Sequence, residues 1–263
     1  MLTYIIYSHT DYLDILLAQT HYLSSYKNKI LLINNSNIKN TTLYSEYKQV
    51  LFYDDTLPYA NRLLKLNELD LDYILFIHDI DIVVRRNDMI IEHLVDIMED
   101  RDIDRIDLQY KNIVHNPQTE MHLIVNNGEK FYINKQENIN HYIYNVNPSI
   151  WKLSTFMEIM LKFQNETYRT IESNTMQTFC QKYRIFKLYW ESYINCGDFG
   201  CIPFFQFIHI THGGKLLPLT RNNLNKTLVD TYMKILEQFS LAEKREFGVR
   251  NFSDYYHGPS LER

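Results

Sequence analysis

The sequence predicts an α/β fold: a mostly parallel sheet flanked by helices, passing into a mixed second half. Three observations carry this. Short β-prone runs alternate with segments of helical apolar spacing over residues 1–110. The most apolar run, residues 73–77, stops directly at His78-Asp79-Ile80-Asp81. The 263 residues include only 7 glycines, and neither GxGxxG nor GxxxxGK[ST] occurs, which argues against a conventional dinucleotide-binding half and a P-loop.

Taken in order, residues 2–7 form a β-prone run. Residues 11–25 carry Leu13, Leu16, Leu17 and Leu23 near helical spacing. Residues 29–33 read as a buried strand closed by the turn-forming Asn34-Asn35-Ser36-Asn37. Residues 49–53 make a third strand, ending at Asp54-Asp55. Residues 59–69 read as a helix, with Pro58 near its start and Leu63, Leu64 and Leu66 apolar. Residues 73–77 are the fourth strand. Residues 88–99 follow as a helix with Ile91, Leu94, Val95 and Met98 on one face, and 104–109 are strand-like. Strands separated by helices imply a parallel sheet, whose ligands bind beyond the carboxyl ends of its strands. The loops after Tyr7, Asn34, Tyr53 and Ile77 are therefore expected on one edge.

In the second half, residues 122–125 and 130–133 flank Asn126-Asn127-Gly128 as a hairpin. Residues 155–164 and 174–183 read as helices, the latter opened by a capping box of Asn174 and Gln177. Residues 204–210 form an apolar strand ahead of Thr211-His212-Gly213-Gly214-Lys215. Residues 225–239 are helical, Ser240 and Glu243 cap a last helix, and 251–263 show no periodicity and read as a tail. No repeat or linker interrupts the chain, so a single domain over 1–263 is expected.

Composition narrows the class. Lys+Arg 27 against Asp+Glu 32 gives a net charge of -5, without the basic footprint of a general nucleic-acid binder. No apolar run approaches the roughly 20 residues of a membrane-spanning helix, so no transmembrane segment is expected. The N-terminus lacks a basic n-region, and the 3 cysteines include no CxxC pair. These point to a cytoplasmic protein without a thiolate zinc site. The abundance of Tyr (21) and Asn reflects an AT-rich genome rather than a function.

Asp79-Ile80-Asp81 is the sharpest feature. In an extended chain, residues i and i+2 point to the same side. Two carboxylates so placed repel each other unless water solvates them or a cation sits between them. Mn²⁺ or Mg²⁺ on hard oxygens answers that need and shares its shell with phosphates. The competing reading is a solvated acidic turn.

The segment Tyr73-Ile74-Leu75-Phe76-Ile77-His78-Asp79-Ile80-Asp81 resembles the DxD region of GT-A nucleotide-sugar glycosyltransferases, with a Rossmann-like sheet. The N-terminal strand and the helix before the DxD strand fit the same pattern. Asn147-Pro148-Ser149-Ile150-Trp151-Lys152 is similar to a strand-to-helix segment of some viral and bacterial members. The resemblance covers roughly residues 1–220. It implies a nucleotide-sugar-binding half (1–110) and an acceptor-binding half (111–250), acting in the cytoplasm, or the host cytoplasm for a viral protein. It further implies a divalent cation, Mn²⁺ or Mg²⁺, at Asp79 and Asp81. The donor is a nucleoside diphosphate sugar, with UDP-sugar first, and the acceptor a glycan or glycoprotein. Tyr7, Ser8 and His9 would lie against the nucleoside, Asp54 or Asp55 against base or ribose, and Arg62 at the diphosphate. Arg62 reads equally well as a surface helix charge. In several such enzymes a C-terminal histidine completes the metal shell. His212 fits that place better than His209, with Lys215 near the phosphates, although Leu216-Leu217-Pro218 replaces the family's usual Lys-Pro-Trp.

An inverting transfer, the expected outcome, needs a base at the acceptor hydroxyl. Glu172 and Asp198 are the candidates, with Glu191 a third; Glu172 reads as well as a first-turn helix carboxylate. Trp151 offers an apolar face to a sugar ring, weakly so in a chain this rich in aromatics. The expected activity is hexosyl, deoxyhexosyl or pentosyl transfer. The alternatives are a metal-dependent phosphoesterase or nuclease, which needs more clustered ligands for two metals, and a non-catalytic glycan-binding relative.

Overall fold

The computed structural model describes residues 2–35, 41–109, 121–126, 129–137, 143–190, 200–217 and 226–248. Four strands open the chain: β1 (Thr3–Ser8), β2 (Lys29–Asn34), β3 (Gln49–Tyr53) and β4 (Tyr73–His78). They pair in parallel, as the alternating pattern predicts, and their spatial order is β3-β2-β1-β4. β1 and β2 are buried on both faces, which is what unbroken Ile, Leu and Tyr runs require.

The remaining strands are β5 (Asp81–Arg86), β6 (Arg105–Asp107), β7 (Met121–Asn126), β8 (Glu129–Lys135), β9 (Ser149–Lys152), β10 (Ile185–Trp190), β11 (Gly200–Ile202), β12 (Phe205–His209), β13 (Thr211–His212) and β14 (Lys215–Leu216). Among the described residues, β9, β6, β10, β8 and β7 extend the first four into a 9-stranded sheet. β9 and β8 run against the others. One sheet thus runs through both halves of the sequence. The expected hairpin is β7–β8, with Asn126 opposite Glu129; Asn127 and Gly128 lie outside the described residues. β11, β12 and β5 make a separate small sheet, and β13 and β14 a tight hairpin.

The helices are α1 (Leu13–Tyr22), α2 (Thr41–Tyr44), α3 (Tyr59–Leu63), α4 (Asp88–Asp100), α5 (Leu153–Lys162), α6 (Asn174–Cys180), α7 (Lys226–Gln238) and α8 (Leu241–Lys244). Alternation along β1 sorts them into layers. Tyr4 and Ile6 face a core with Leu16 of α1 and Leu94 and Met98 of α4. Ile5 and Tyr7 face the opposite core, with Leu63 of α3, Phe156 and Ile159 of α5 and Met176 of α6. A third core joins Leu228, Tyr232 and Ile235 of α7 to Ile82 and Ile208 of the small sheet.

Local differences from the sequence reading have physical causes. The helix expected over 59–69 is α3 followed by a 3-10 turn, Leu64–Glu68. Buried Leu63 and Leu66 stand three residues apart, the period of that tighter turn. Ser173, not Asn174, caps α6, its hydroxyl accepting from Met176 N–H, while the Gln177 amide is drawn to the Tyr144 backbone. Ser240 sits at φ 50 and makes no capping bond, so the box with Glu243 does not form. The tail at 251–263 lies outside the described residues.

Topology places the site. From β1 the chain moves to β2 and β3 on one side, then to β4 on the other. Such a reversal leaves a crevice beyond the carboxyl ends of the two strands that flank it. Here those ends are Ser8 and His78.

Candidate functional site

Asp79 follows β4 into this crevice. Its N–H donates to the Tyr7 carbonyl at 2.9 Å, which continues the β1–β4 ladder by one step. Ser8 Oγ donates to Asp79 Oδ2 at 2.5 Å, and the nearby His9 and Ile80 N–H groups favour the ionised carboxylate. The residue is 4% exposed, and among the described residues no lysine, arginine or histidine forms an ion pair with it. Burial pushes its pKa up to about 7, against the opposing pull of Ser8 and the two N–H groups.

Asp79 and Ile80 form a turn, and Asp81 opens β5. This corrects the expectation of an extended DxD with both carboxylates on one side. The chain leaves the large sheet at His78, and β5 pairs instead with β12, setting Asp81 opposite His209. Asp81 Oδ1 is bonded there to His209 Nδ1 at 2.7 Å. Among the described residues, neither aspartate pairs with an arginine.

A cavity of about 1220 Å³ opens above Asp79. This exceeds the roughly 300–1,000 Å³ of an ordinary small-ligand pocket, leaving room for more than one reactant. Asp79, Tyr7 and His78 contribute from the strand ends, Tyr59 and Arg62 from α3, Tyr168 and Arg169 from the loop after α5, and His212 and Lys215 from the β13–β14 hairpin. Asp81 is not among the residues lining it.

One wall is aromatic. Tyr7 stacks on Tyr53 with centroids 5.3 Å apart and meets the edge of Tyr59. His78 Nε2 shares a 2.8 Å hydrogen bond with the Tyr59 hydroxyl. Burial holds the His78 pKa down at about 4, so its ring is neutral at physiological pH. Tyr168 presents its edge to Tyr59 and packs beside His78.

Arg62 is bound to the protein itself. Its guanidinium donates to the Leu57 and Asp55 carbonyls at 2.7 Å each, pairs with the Asp55 carboxylate at 3.0 Å and lies over the Tyr53 ring. Asp55 also bonds His9 Nε2 at 2.8 Å, and Asp54 closes a turn on Thr56. Because Asp11 N–H donates to His9 Nδ1, the ring proton is assigned to Nε2, toward Asp55. Arg62 and Asp55 therefore shape the rim at residues 54–58.

The opposite side is the β13–β14 hairpin. Gly213 and Gly214 have φ of 56° and 80°, and two consecutive left-handed residues make the two-residue turn that suits a twisted hairpin. Arg245 braces it, donating to the Gly214 carbonyl while pairing with Asp14. Lys215 reaches Glu246 at 3.2 Å. His212 lies exposed at the cavity, while the histidine beside the acidic pair is His209. Side chains of i and i+3 on a strand point to opposite faces, and the register with Asp81 selects His209.

Other expected residues fall elsewhere. Glu172 Oε1 accepts from Val146 N–H at 2.8 Å, and Glu172 does not line the cavity. Trp151 is 1% exposed in the core beneath the Arg105 guanidinium, so it presents no face to a sugar. Asp198 and Glu191 lie outside the described residues. Sequence reasoning passed over His78, Tyr168 and Arg169 and ranked His209 behind His212. Only His78 and His209 carried a signal there, by adjoining the acidic pair and ending an apolar strand.

Among the described residues no three His, Cys, Asp or Glu side chains gather as a metal cluster. The donor chemistry at Asp79 still fits a hard dication. Mg²⁺ is commonly held by one or two carboxylates with waters and substrate phosphates completing its shell, and a buried carboxylate without a counter-charge is what such an ion would neutralise.

No protein-family profile matches the chain, and no curated protein matches it. Among solved structures, S. aureus TarS 1-349 in complex with UDP-GlcNAc aligns with 97% of this chain and 69% of that one, at 11% identity and a TM-score of 0.46. A cytidylyltransferase from Leptospira borgpetersenii aligns with 73% of this chain and 76% of its own, at 12% identity and a TM-score of 0.43. A UDP-glucose pyrophosphorylase complexed with UDP-glucose aligns with 72% and 91%, at 8% identity and a TM-score of 0.41. These likenesses are distant, and the functional reading rests on the site's own geometry.

Proposed function

We propose that this chain is a metal-dependent glycosyltransferase of GT-A type, moving a sugar from a nucleoside diphosphate sugar to a hydroxyl of a glycan or glycoprotein acceptor. UDP-sugar is the first donor to test. One observation carries the reading: Asp79 is buried at the topological switch of a parallel sheet, lines a cavity of about 1220 Å³ and has no cationic partner among the described residues. Structural acids are buried with their counter-charges; this one faces the cavity instead.

Asp79 would hold Mn²⁺ or Mg²⁺ at the cavity, with water and the donor's phosphates completing the shell. An ion bound there supplies the charge that neutralises a diphosphate leaving group. The Ser8 hydroxyl fixes the direction of the Asp79 carboxylate. Tyr7, Tyr59 and Tyr168 offer ring surfaces to a base or sugar. Arg62 holds the 54–58 rim through Asp55. In the transfer, the bond from the anomeric carbon to the diphosphate oxygen breaks and a bond to the acceptor oxygen forms. The acceptor proton passes to a base, for which Asp198 stands as the candidate.

Thermal shift with UDP, GDP and TDP, each with and without Mn²⁺, tests this, followed by donor hydrolysis without acceptor. Stabilisation by one nucleoside diphosphate only when metal is present, with slow release of free sugar, is expected. Stabilisation by metal alone would point to a phosphoesterase, and indifference to every combination to a non-catalytic fold.

A further inference from the structure

We infer that Arg169 is the positioning residue that grips the anionic diphosphate of the donor. The inference rests on the nucleotide-sugar reading and names the cation that serves it. Arg62, Lys215 and Arg169 are the lysine and arginine residues that line the cavity among the described residues. Arg62 spends its donors on the Leu57 and Asp55 carbonyls and the Asp55 carboxylate. Lys215 pairs with Glu246. Arg169 is exposed, and among the described residues no carboxylate stands within ion-pair distance of it. Its fork is therefore open to the cavity's occupant.

The loop that carries Arg169 is fixed rather than loose. The Glu166 carbonyl accepts from Ala60 N–H of α3 at 3.2 Å. Thr167 N–H donates to Thr170 Oγ1 at 3.0 Å, and Ile171 N–H to the Thr167 carbonyl, closing the turn around residues 168 and 169. Tyr168 is wedged against Tyr59 and His78 with centroids 5.2 and 5.5 Å away. The braced turn keeps the Arg169 backbone at the cavity rim, and the planar guanidinium fork matches two phosphate oxygens. Asp79 and Arg169 then divide the work. The acid supplies a place for a dication, and the arginine meets the phosphate oxygens that the dication leaves uncovered.

The test is equilibrium binding of UDP, uridine and inorganic pyrophosphate, with Mn²⁺ present, to the wild type and to Arg169→Ala and Arg169→Lys. Removing an exposed arginine that has no ion-pair partner among the described residues leaves the fold intact, so the melting temperature without ligand stays at the wild-type value. UDP and pyrophosphate affinity falls about tenfold or more in Arg169→Ala, as expected for a lost hydrogen bond to a charged group. Uridine affinity stays within about twofold, and Arg169→Lys recovers part of the loss because it restores charge without the fork. A wild type that binds UDP with Arg169→Ala binding it equally well overturns this inference and leaves the proposed function standing. Equal losses for UDP and uridine also overturn it, since they would mark a general distortion. A wild type that binds no nucleoside diphosphate overturns both.

Discussion

Asp107 and Asp79 end strands that point to the same edge of one sheet, β6 and β4, and both are nearly inaccessible, at 1% and 4% exposure. Their surroundings differ. Asp107 accepts from Asn145 Nδ2 at 2.6 Å and Gln109 N–H at 2.9 Å, with the fully buried Arg105 guanidinium at 3.8 Å. Arg105 in turn donates to the Ile143 and Asn145 carbonyls and to Ser149, and lies over Trp151. That charge is answered inside the protein, and the network ties residues 143–149 to the sheet. Asp79 has the Ser8 hydroxyl but, among the described residues, no cation. Burial alone does not mark a functional acid; burial without a counter-charge, facing a cavity, does.

The largest expected effect breaks the compensated side. Arg105→Ala leaves Asp107 buried and unpaired, and loss of one member of such a pair costs about 3–5 kcal/mol. Urea denaturation should show a fall of that size, and a change below about 1 kcal/mol would mean that Asp107 and Asn145 hold the segment without it.

The uncompensated side should respond in the opposite sense. With its folded pKa raised from 3.8 to about 7, protonated Asp79 contributes stability that is fully present below the unfolded pKa and lost as pH rises through the folded value. Asp79→Asn removes that loss. Without metal, the variant should be more stable than the wild type by about 1–3 kcal/mol at pH 8, with the gap closing toward pH 4. Parallel denaturation midpoints across that range check it, and a variant less stable at pH 8 would show that the acid serves the fold.

Part of this contrast was legible in the sequence. The apolar run of β4 just before Asp79 is a local signal, and so is the strand–helix alternation that makes the first four strands parallel. The twin glycines of the 213–214 turn announced a tight approach. Partnership was not legible. Asp81 meets His209 rather than His212 because β5 pairs with β12, more than a hundred residues on, and that register has no trace in either segment alone. β5 itself was passed over because its apolar centre is flanked by Asp81, Arg85 and Arg86. Arg62 looked like a phosphate ligand because its ties to Leu57 and Asp55 exist only after the 54–58 loop folds back. Trp151 looked like a sugar platform and is core, since a run such as Ser149–Lys152 does not declare which face is covered.

The smallest expected effect sharpens the contrast at Glu172. Its carboxylate holds Val146 N–H, and an amide oxygen accepts that bond as well. Glu172→Gln should change stability by less than about 1 kcal/mol and leave the transfer rate within about twofold of the wild type. A large fall in rate with unchanged donor affinity would make Glu172 the base after all.

The claim at the centre is that a bound cation and diphosphate complete the charge on Asp79. Calorimetric titration of UDP into wild type and Asp79→Asn, with Mn²⁺ and with EDTA, tests it most directly. The account predicts that Mn²⁺ tightens UDP binding to the wild type by about tenfold or more, with the gain growing from pH 6 to pH 8 as Asp79 ionises, and that Asp79→Asn shows no such gain. Equal tightening by Mn²⁺ in both proteins, or UDP binding indifferent to metal in the wild type, would contradict it.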